Sequence, residues 1–539
     1  MSVRAVSDAQ DPDSTNNTAT STFTVQVATA LYVGFNEPHI RVDPGTVFKT
    51  PFGIGNNLHI SDPGHLRLHL DIVGGGTIEQ FEPLPSWSCT TTATSVDCAL
   101  PPLTGECMCA IGASISVRAP DSRAGGEVRI VPTITSDLPN VITRREPKIA
   151  EIYRWIAVTN TADAGPGSLR DAITEANTTC GDAPCRIAFE IATPVPNEGW
   201  FTIVPSTPLP AVTAKRVFLD AARQTVFSGD TNPLGPEVAI DGRVAGSGLA
   251  MMSGCESVVT GLALGNFMSD QGLRFAATGD YNACALSILD RLEVFGNHIG
   301  VDPTGGVAWP NLRGLRLDGA LGDIHDNVIS RNRYSGIWRW GGGELYRVLR
   351  IRRNRIESNG ASGILLAFAN TEVTENTIAN NAQMGVAVTS QGANEIRRNF
   401  MRDNGGLGID RDLNGIDPID ETNARVNAPT LLAATYDAST NKTIITAVVS
   451  VDGPYGRAFD LYANDGPDGD GETPIATTYP AFNPVRFEVP GDYRGKWINA
   501  TVMRYTPVFA KPPDKLATQQ VVYGLDKSTS ELSNAVLVK

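Results

Sequence analysis

Between Arg331 and Arg355 the chain sets eight arginines against one acid, Glu344, a local charge of 8 − 1 = +7 where the whole chain carries 44 − 58 = −14. In and just ahead of that run stand Trp309, Arg313, Trp338, Arg339, Trp340, Tyr346 and Arg347, the last four spanning Gly341, Gly342 and Gly343. Indole and phenol rings stack on the apolar faces of sugars, and guanidinium forks grip carboxylate or sulfate in pairs of hydrogen bonds. These seven residues are the candidate ligand-binding set, and the ligand class they suit is an anionic polysaccharide or cell-surface glycan. The plainer account is that one or two of the tryptophans simply cover the fold.

A second constellation is Asp410-Arg-Asp412-Leu-Asn414-Gly415, with Glu421 six residues on. Alternate oxygens on a tight glycine turn converge on one hard cation, and a distal Glu closes its shell. Calcium is the implied cofactor, with Asp410, Asp412, Asn414 and Glu421 as ligands. Against it, Pro418 interrupts the loop, and an acidic turn is the bland reading. A second acidic loop, Asp465, Asp468, Asp470 and Glu472, is Gly-rich and reads as solvated, with calcium as its alternative.

For catalysis, a uronate lyase needs a base beside the sugar C5 proton, and a glycosidase needs two carboxylates flanking the bond. Asp302, Asp318, Asp323 and Glu344 lie near the loops, but no spacing selects a pair among them. No lysine occurs between Lys215 and Lys442, and His298 and His325 read as surface residues. No catalytic residue is assigned. A polysaccharide-active enzyme, most plausibly a lyase, is therefore the alternative to a binding module, and a structural stalk is the third reading.

The elements that must carry these residues are legible in a repeat. From Asn297, Asn327, Asn354, Asn376 and Asn399, at intervals of 30, 27, 22 and 23 residues, an apolar residue stands at −3 (Val294, Ile324, Ile351, Val373, Ile396) and at +2 (Ile299, Ile329, Ile356, Ile378, Met401). Asp302, Asn332, Asn359, Asn381 and Asn404 follow at +5. Gly306, Gly336, Gly363, Gly385 and Gly408 stand at +9, and Val307, Ile337, Ile364, Val386 and Ile409 at +10. A shared template with a variable interval predicts a solenoid whose coils carry loops of different length. Identical apolar positions then stack about 4.8 Å apart. Asn and Gly would take the positive-φ corner positions, and stacked amides would hydrogen-bond along the column. The −1 column, Asp326, Arg353, Glu375 and Arg398, alternates in sign and predicts a surface ion-pair ladder.

This template resembles the right-handed parallel β-helix proteins of the pectin-lyase-like superfamily. The stretch "GSLRDAITEAN" is similar to their N-terminal helical cap, with Leu169, Ala172, Ile173 and Ala176 on one face and Ser168 and Asp171 forming a cap-like start. The resemblance implies a fold and no particular activity, since that scaffold hosts lyases, hydrolases and adhesins. Upstream, Leu66, Leu68, Leu70 and Ile72 alternate with polar residues, as do Ile111, Ala113, Ile115 and Val117, which predicts a β-sandwich. The segment "PSWSCTTTATSVDCALPPLTGE" resembles Ig-like repeats of bacterial surface proteins, and "GKWINATV" and "STSELSNAVLV" resemble the Ig-like module that often follows such β-helices. The expected organisation is all-β: closing strands of a preceding Ig-like repeat (1–27), an Ig-like sandwich (28–153), a right-handed parallel β-helix with its helical cap (154–425) and a C-terminal Ig-like sandwich (426–539).

Composition sets outer limits. The acidic balance argues against a general nucleic-acid binder, and no apolar run is long enough for a transmembrane helix. Cys180 and Cys185, separated by a Gly- and Pro-containing turn, are an expected disulfide. Cys89 with Cys98 is the favoured pair upstream, leaving Cys107 with Cys109, although other connectivities of these four stay open. Cys255 and Cys284 would lie on neighbouring coils. Paired cysteines fit an oxidising compartment, so the expected location is extracellular or cell-surface. Met1 leads into a polar stretch without an apolar core of a signal peptide, so the chain is expected to be a piece of a longer exported protein.

Overall fold

The computed structural model describes residues 29–56, 65–101, 111–137, 141–192, 194–252, 256–276, 292–319, 321–341, 348–367, 370–389, 394–411, 428–448, 457–479, 485–509, 522–530 and 532–539. The chain divides into two compact units, Met1–Ser122 with Gly126–Ile152, and Arg123–Gly125 with Tyr153–Lys539.

In the first unit, alternation sets the sheets. Leu66, Leu68, Leu70 and Ile72 of strand Leu66–Val73 are buried while Arg67, Asp71 and Val73 face out. Ser95–Leu100 and Ala124–Ser136 flank that strand in antiparallel register. A second sheet orders Thr29–Phe35, Val47–Asn56, Ile111–Arg118 and Thr77–Glu82. Leu31, Phe52, Ile115 and Val117 meet Leu68, Leu70 and Ile130 in one shared core. Cys89 and Cys98 sit directly opposite on neighbouring strands and form a disulfide, with Cα atoms 4.1 Å apart.

The second unit begins as a parallel β-helix, and among the described residues it is all-β apart from two short helices. Each coil contributes a short strand to each of three faces, except the first coil, which meets the third face only through Val212. The first face runs from Cys185–Phe189 to Asn394–Arg397. The second is an eight-stranded sheet from Phe201–Ile203 to Phe400–Arg402, and the third a seven-stranded sheet from Leu249–Met251 to Ile409–Arg411. Inward columns are the repeat read from sequence: Val294, Ile324, Ile351, Val373 and Ile396 stack in register on the first face. Ile299, Ile329, Ile356, Ile378 and Met401 do so on the second. All are fully buried. At roughly 25 cal/mol per Å2 of apolar surface, such columns are the main source of stability.

Two asparagine ladders bind the corners. Asn297, Asn327, Asn354, Asn376 and Asn399 join Nδ2 to Oδ1 at 2.9–3.0 Å between the first and second faces. Asn311, Asn332, Asn359, Asn381 and Asn404 do the same between the second and third. Two expectations are corrected here. In the regular coils the positive-φ residue is the one before the ladder asparagine: Asp326 (54°), Arg353 (52°), Glu375 (59°) and Arg398 (50°) at the first corner, Arg331 (59°), Ser358 (55°), Asn380 (54°) and Asp403 (54°) at the second. The bend is made one position earlier, and the amide that follows it serves hydrogen bonding alone. In the 292–318 coil, the ladder, glycine and apolar columns are filled by Asn311, Gly314 and Leu315 instead of Asp302, Gly306 and Val307. The extra residues of that coil come before the ladder position, and Val307 is consequently 57% exposed. Asp302 pins this longer turn by accepting from the Gly306 and Val307 amides at 3.0 and 2.9 Å.

Both ends of the solenoid are covered. Helix Leu169–Thr179 starts at Ser168, whose hydroxyl accepts from the Asp171 amide, and buries Leu169, Ala172, Ile173 and Ala176. The Cys180–Cys185 disulfide (Cα–Cα 6.0 Å) ties its C-terminus to the first coil. Beyond the last coil, strands Thr430–Asp437, Lys442–Val448 and Val485–Pro490 share a core with Arg457–Asn464 and Trp497–Phe509. Arg397 of the last coil forms a buried bidentate pair with Asp460 at 2.9 Å. The Asn404 amide donates to Asp470, and the Met401 amide to the Gly471 carbonyl. The acidic loop read as solvated is thus partly a docking surface. Burial pushes the Asp470 carboxyl up to about 6. Among the described residues, no helix is long and apolar enough to cross a membrane.

Candidate ligand-binding face

The third face places its outward side chains in columns fixed by register: Arg274, Arg316, Trp338, Leu365 and Ala387 in one, Asp318 and Trp340 beside it. Period two decides who points where. On strand Ile337–Trp340, Ile337 and Arg339 go inward while Trp338 and Trp340 go outward. Arg339 is therefore corrected from a surface ligand contact to an interior residue, fully buried between Leu317 and Leu366 of adjacent coils.

Around Trp338 the geometry is close. The Arg313 and Arg316 guanidinium carbons each lie 4.6 Å from its ring centroid, and Arg313 lies 5.4 Å from that of Tyr334. Trp340 meets Trp338 edge-on at 6.2 Å. Trp340 and Tyr334 remain 48% and 50% exposed. Asp318 holds Arg316 at 2.8 Å and Arg274 at 3.0 Å. Among the described residues Arg313 has no carboxylate partner, and the patch of Arg274, Arg313 and Arg316 against Asp318 carries 3 − 1 = +2. Arg316, Tyr334 and Arg274 escaped sequence reasoning because only the cross-coil register brings them to Trp338.

Trp309 stands elsewhere. It sits on the long turn between the second and third faces, over Gly265, where a Cβ would lie 2.4 Å from its own. Tyr346 and Arg347 lie outside the described residues, as do Asp412, Asn414 and Glu421 of the calcium loop. Asp410 ends the third face, buried and in register with Ala387. No group of three or more His, Cys, Asp or Glu side chains is placed to hold a metal among the described residues. Cys107, Cys109, Cys255 and Cys284 are also outside them.

The arginine surplus is dispersed. Arg350 pairs with Glu372, Arg352 with Asp323, Arg353 with Asp326 and Arg355 with Glu357, on the first face, its corner and the second face. The alternating column does pair, at Arg353–Asp326 and Arg398–Glu375 (both 2.8 Å). Arg353, and then His325, hold the Asp326 carboxyl down at about 2. The two histidines are corrected from surface residues to buried ones. His325 stacks on Phe295 at 5.2 Å between Glu293 and Asp326, and burial lowers the pKa of His298.

Comparison with known proteins bears on the fold. The right handed beta helix region family matches residues 304–429, and no curated protein matches the chain. Among solved structures, a type I cohesin–dockerin complex from Clostridium thermocellum is 11% identical, covering 23% of this chain and 99% of that one, with a TM-score of 0.17. A non-cellulosomal cohesin from Archaeoglobus fulgidus is 13% identical over 23% of this chain and 91% of its own, TM-score 0.17. A putative beta-galactosidase from Bacteroides fragilis is 9% identical over 94% of this chain and 73% of its own, TM-score 0.16. Together with the parallel sheets, the family match makes the chain an all-β protein built on a right-handed β-helix.

Proposed function

We propose that this chain is a binding module of an exported bacterial surface protein, flanked by Ig-like domains, and that its third face holds an anionic polysaccharide. The observation that carries the reading is Trp338 with two guanidinium groups at 4.6 Å and the half-exposed Trp340 beside it. A sugar ring stacks on the exposed indole while its carboxylate or sulfate meets Arg313, whose charge no described acid neutralises. Two disulfides support export.

Titration of polygalacturonate and a neutral glucan against wild type, Trp338→Ala, Trp340→Ala and Arg313→Ala tests it. Polygalacturonate affinity should fall with salt in wild type, because exposed charges are screened within about 8 Å at physiological ionic strength. Arg313→Ala should remove most of that salt dependence, and either tryptophan variant should weaken binding at every salt concentration. Absorbance from new unsaturated ends would replace the adhesin reading with a lyase. Equal binding by all four proteins, or none at low salt, would overturn the site.

A further inference from the structure

A groove of ≈ 650 Å3 opens beside the second face, at the first coils of the solenoid and away from the residues used above. Its lining includes two tryptophans of different coils, Trp200 and Trp309, together with Thr161, Thr202, Glu198 and Arg243. Both indoles are part-exposed. Nothing in the third-face reading uses Trp200 or this volume.

The groove is built, with its aromatic walls held from behind. The Trp309 amide donates to the Gly300 carbonyl at 3.0 Å, and its own carbonyl accepts from the Asn266 amide at 3.1 Å, which pins the residue to its own coil on one side and to the preceding coil on the other. Gly265 lets the indole settle onto the strand, since any side chain there would displace it. At the other tryptophan, the turn before Trp200 is closed by the Gly199 amide on the Pro196 carbonyl at 2.9 Å. It is tied down by the Thr231 hydroxyl on the Gly199 carbonyl at 2.7 Å, and the next amide, of Phe201, donates to Glu237. Rings fixed in advance lose little entropy when a ligand stacks on them.

Charge selects among sugars. Arg243 is the one cation lining the groove among the described residues, and it is already committed: buried Asp241 accepts from its Nε at 2.6 Å and from its backbone amide at 3.1 Å. The exposed Glu198 carboxylate has no cationic partner among the described residues. With Asp241 behind the groove offsetting Arg243, Glu198 and Asp241 against Arg243 sum to 1 − 2 = −1, and the hydroxyls of Thr161 and Thr202 are there to bond sugar hydroxyls. A uronate or sulfate would lose solvation there and meet repulsion. We infer that the Trp200–Trp309 groove is a second saccharide site, taking an uncharged pyranose chain, so that the solenoid holds neutral and anionic glycan at separate places.

Tryptophan fluorescence and calorimetric titration with cellohexaose, xylohexaose, mannohexaose, chitohexaose and polygalacturonate test this on the full chain. At least one neutral hexasaccharide should bind wild type and Trp338→Ala alike, and Trp200→Ala and Trp309→Ala should each weaken it by at least roughly tenfold. Trp309→Phe, which keeps a ring over Gly265, should retain most of the affinity and guards against simple misfolding. Binding of a neutral sugar unaltered in Trp200→Ala and Trp309→Ala would overturn the assignment, as would no binding by any of the four at millimolar concentration. Polygalacturonate binding that persists in Trp338→Ala and disappears in Trp309→Ala would overturn the charge selection. Because the third-face reading is scored on Trp338 and Arg313 with the acidic polymer, either site can fail while the other stands.

Discussion

Replacing Asn354 by alanine removes one interior rung of the first ladder. Its Oδ1 accepts from the Asn327 amide at 3.1 Å and from the Asn327 side chain at 3.0 Å; its Nδ2 donates to the Ile324 carbonyl, the Arg352 carbonyl and Asn376 at 2.8, 3.0 and 3.0 Å. Asn354 and both neighbouring rungs are at most 2% exposed, so water does not easily replace these partners. The Asn327 amide loses its acceptor, and the carbonyls lose a donor. At about 1–3 kcal/mol for each buried group left unsatisfied, two such groups put the cost at roughly 2–6 kcal/mol. The adjacent Arg353 is the control. Its ion pair with Asp326 is 40% and 48% exposed, and such surface pairs contribute about 0–1 kcal/mol, so Arg353→Ala should be mild. Arg353→Gly should be milder still, because φ = 52° is a conformation in which glycine avoids the Cβ penalty. Urea unfolding ranks the variants, and native-state hydrogen exchange at the Asn327 amide reads the lost bond directly, without requiring the several domains to unfold together. An Asn354→Ala cost within about 1 kcal/mol of that of Arg353→Ala, or unchanged Asn327 exchange, would refute the ladder as a stabilising element.

Three further outcomes are expected. Asp470, with its pKa raised from 3.8 to about 6, binds its proton more tightly in the folded chain; its contribution to stability is full below about pH 4 and is lost as pH rises through about 6. Asp470→Asn should therefore raise the melting temperature at pH 8 more than at pH 5, and an equal shift at both would contradict the assignment. If the Asp410–Glu421 loop binds calcium, a chelator should lower the melting temperature and Asp412→Ala should abolish that response, since a cation held only by the folded form stabilises it. Mass spectrometry of the unreduced protein should find no free thiol at Cys89, Cys98, Cys180 or Cys185, and Cys180→Ser should loosen the helical cap, seen as faster exchange of the Ala176 amide.

The solenoid was readable from Asn297 onward because its columns demand one residue type at one spacing. Earlier coils hid because Leu262 occupies the place that Asn297 holds one coil later, and Asn297 accepts from the Leu262 backbone instead. The misplaced loop at 302–311 has a similar origin: Asp302 falls at the ladder spacing and binds backbone amides as an asparagine would, but those of its own turn. The candidate face was half legible. Tryptophans at 338 and 340 announce an outward pair by their alternation, and the same alternation should have sent Arg339 inward. Arg316 and Tyr334 needed the coil-to-coil register, which sequence supplies only where a template anchors it.

The ladders have a polarity. Every rung hands its side-chain N–H forward to the oxygen of the next coil, and its oxygen accepts from the coil behind. The two ends of each ladder therefore present opposite chemistry. The leading end offers an oxygen, taken by the Leu262 amide, and the trailing end offers N–H groups, of which that of Asn404 is taken by Asp470. What meets one end of a ladder cannot serve the other, whereas a rung removed from the middle leaves both ends chemically unchanged. Length is thus free to vary by whole coils while the terminal covers stay as they are.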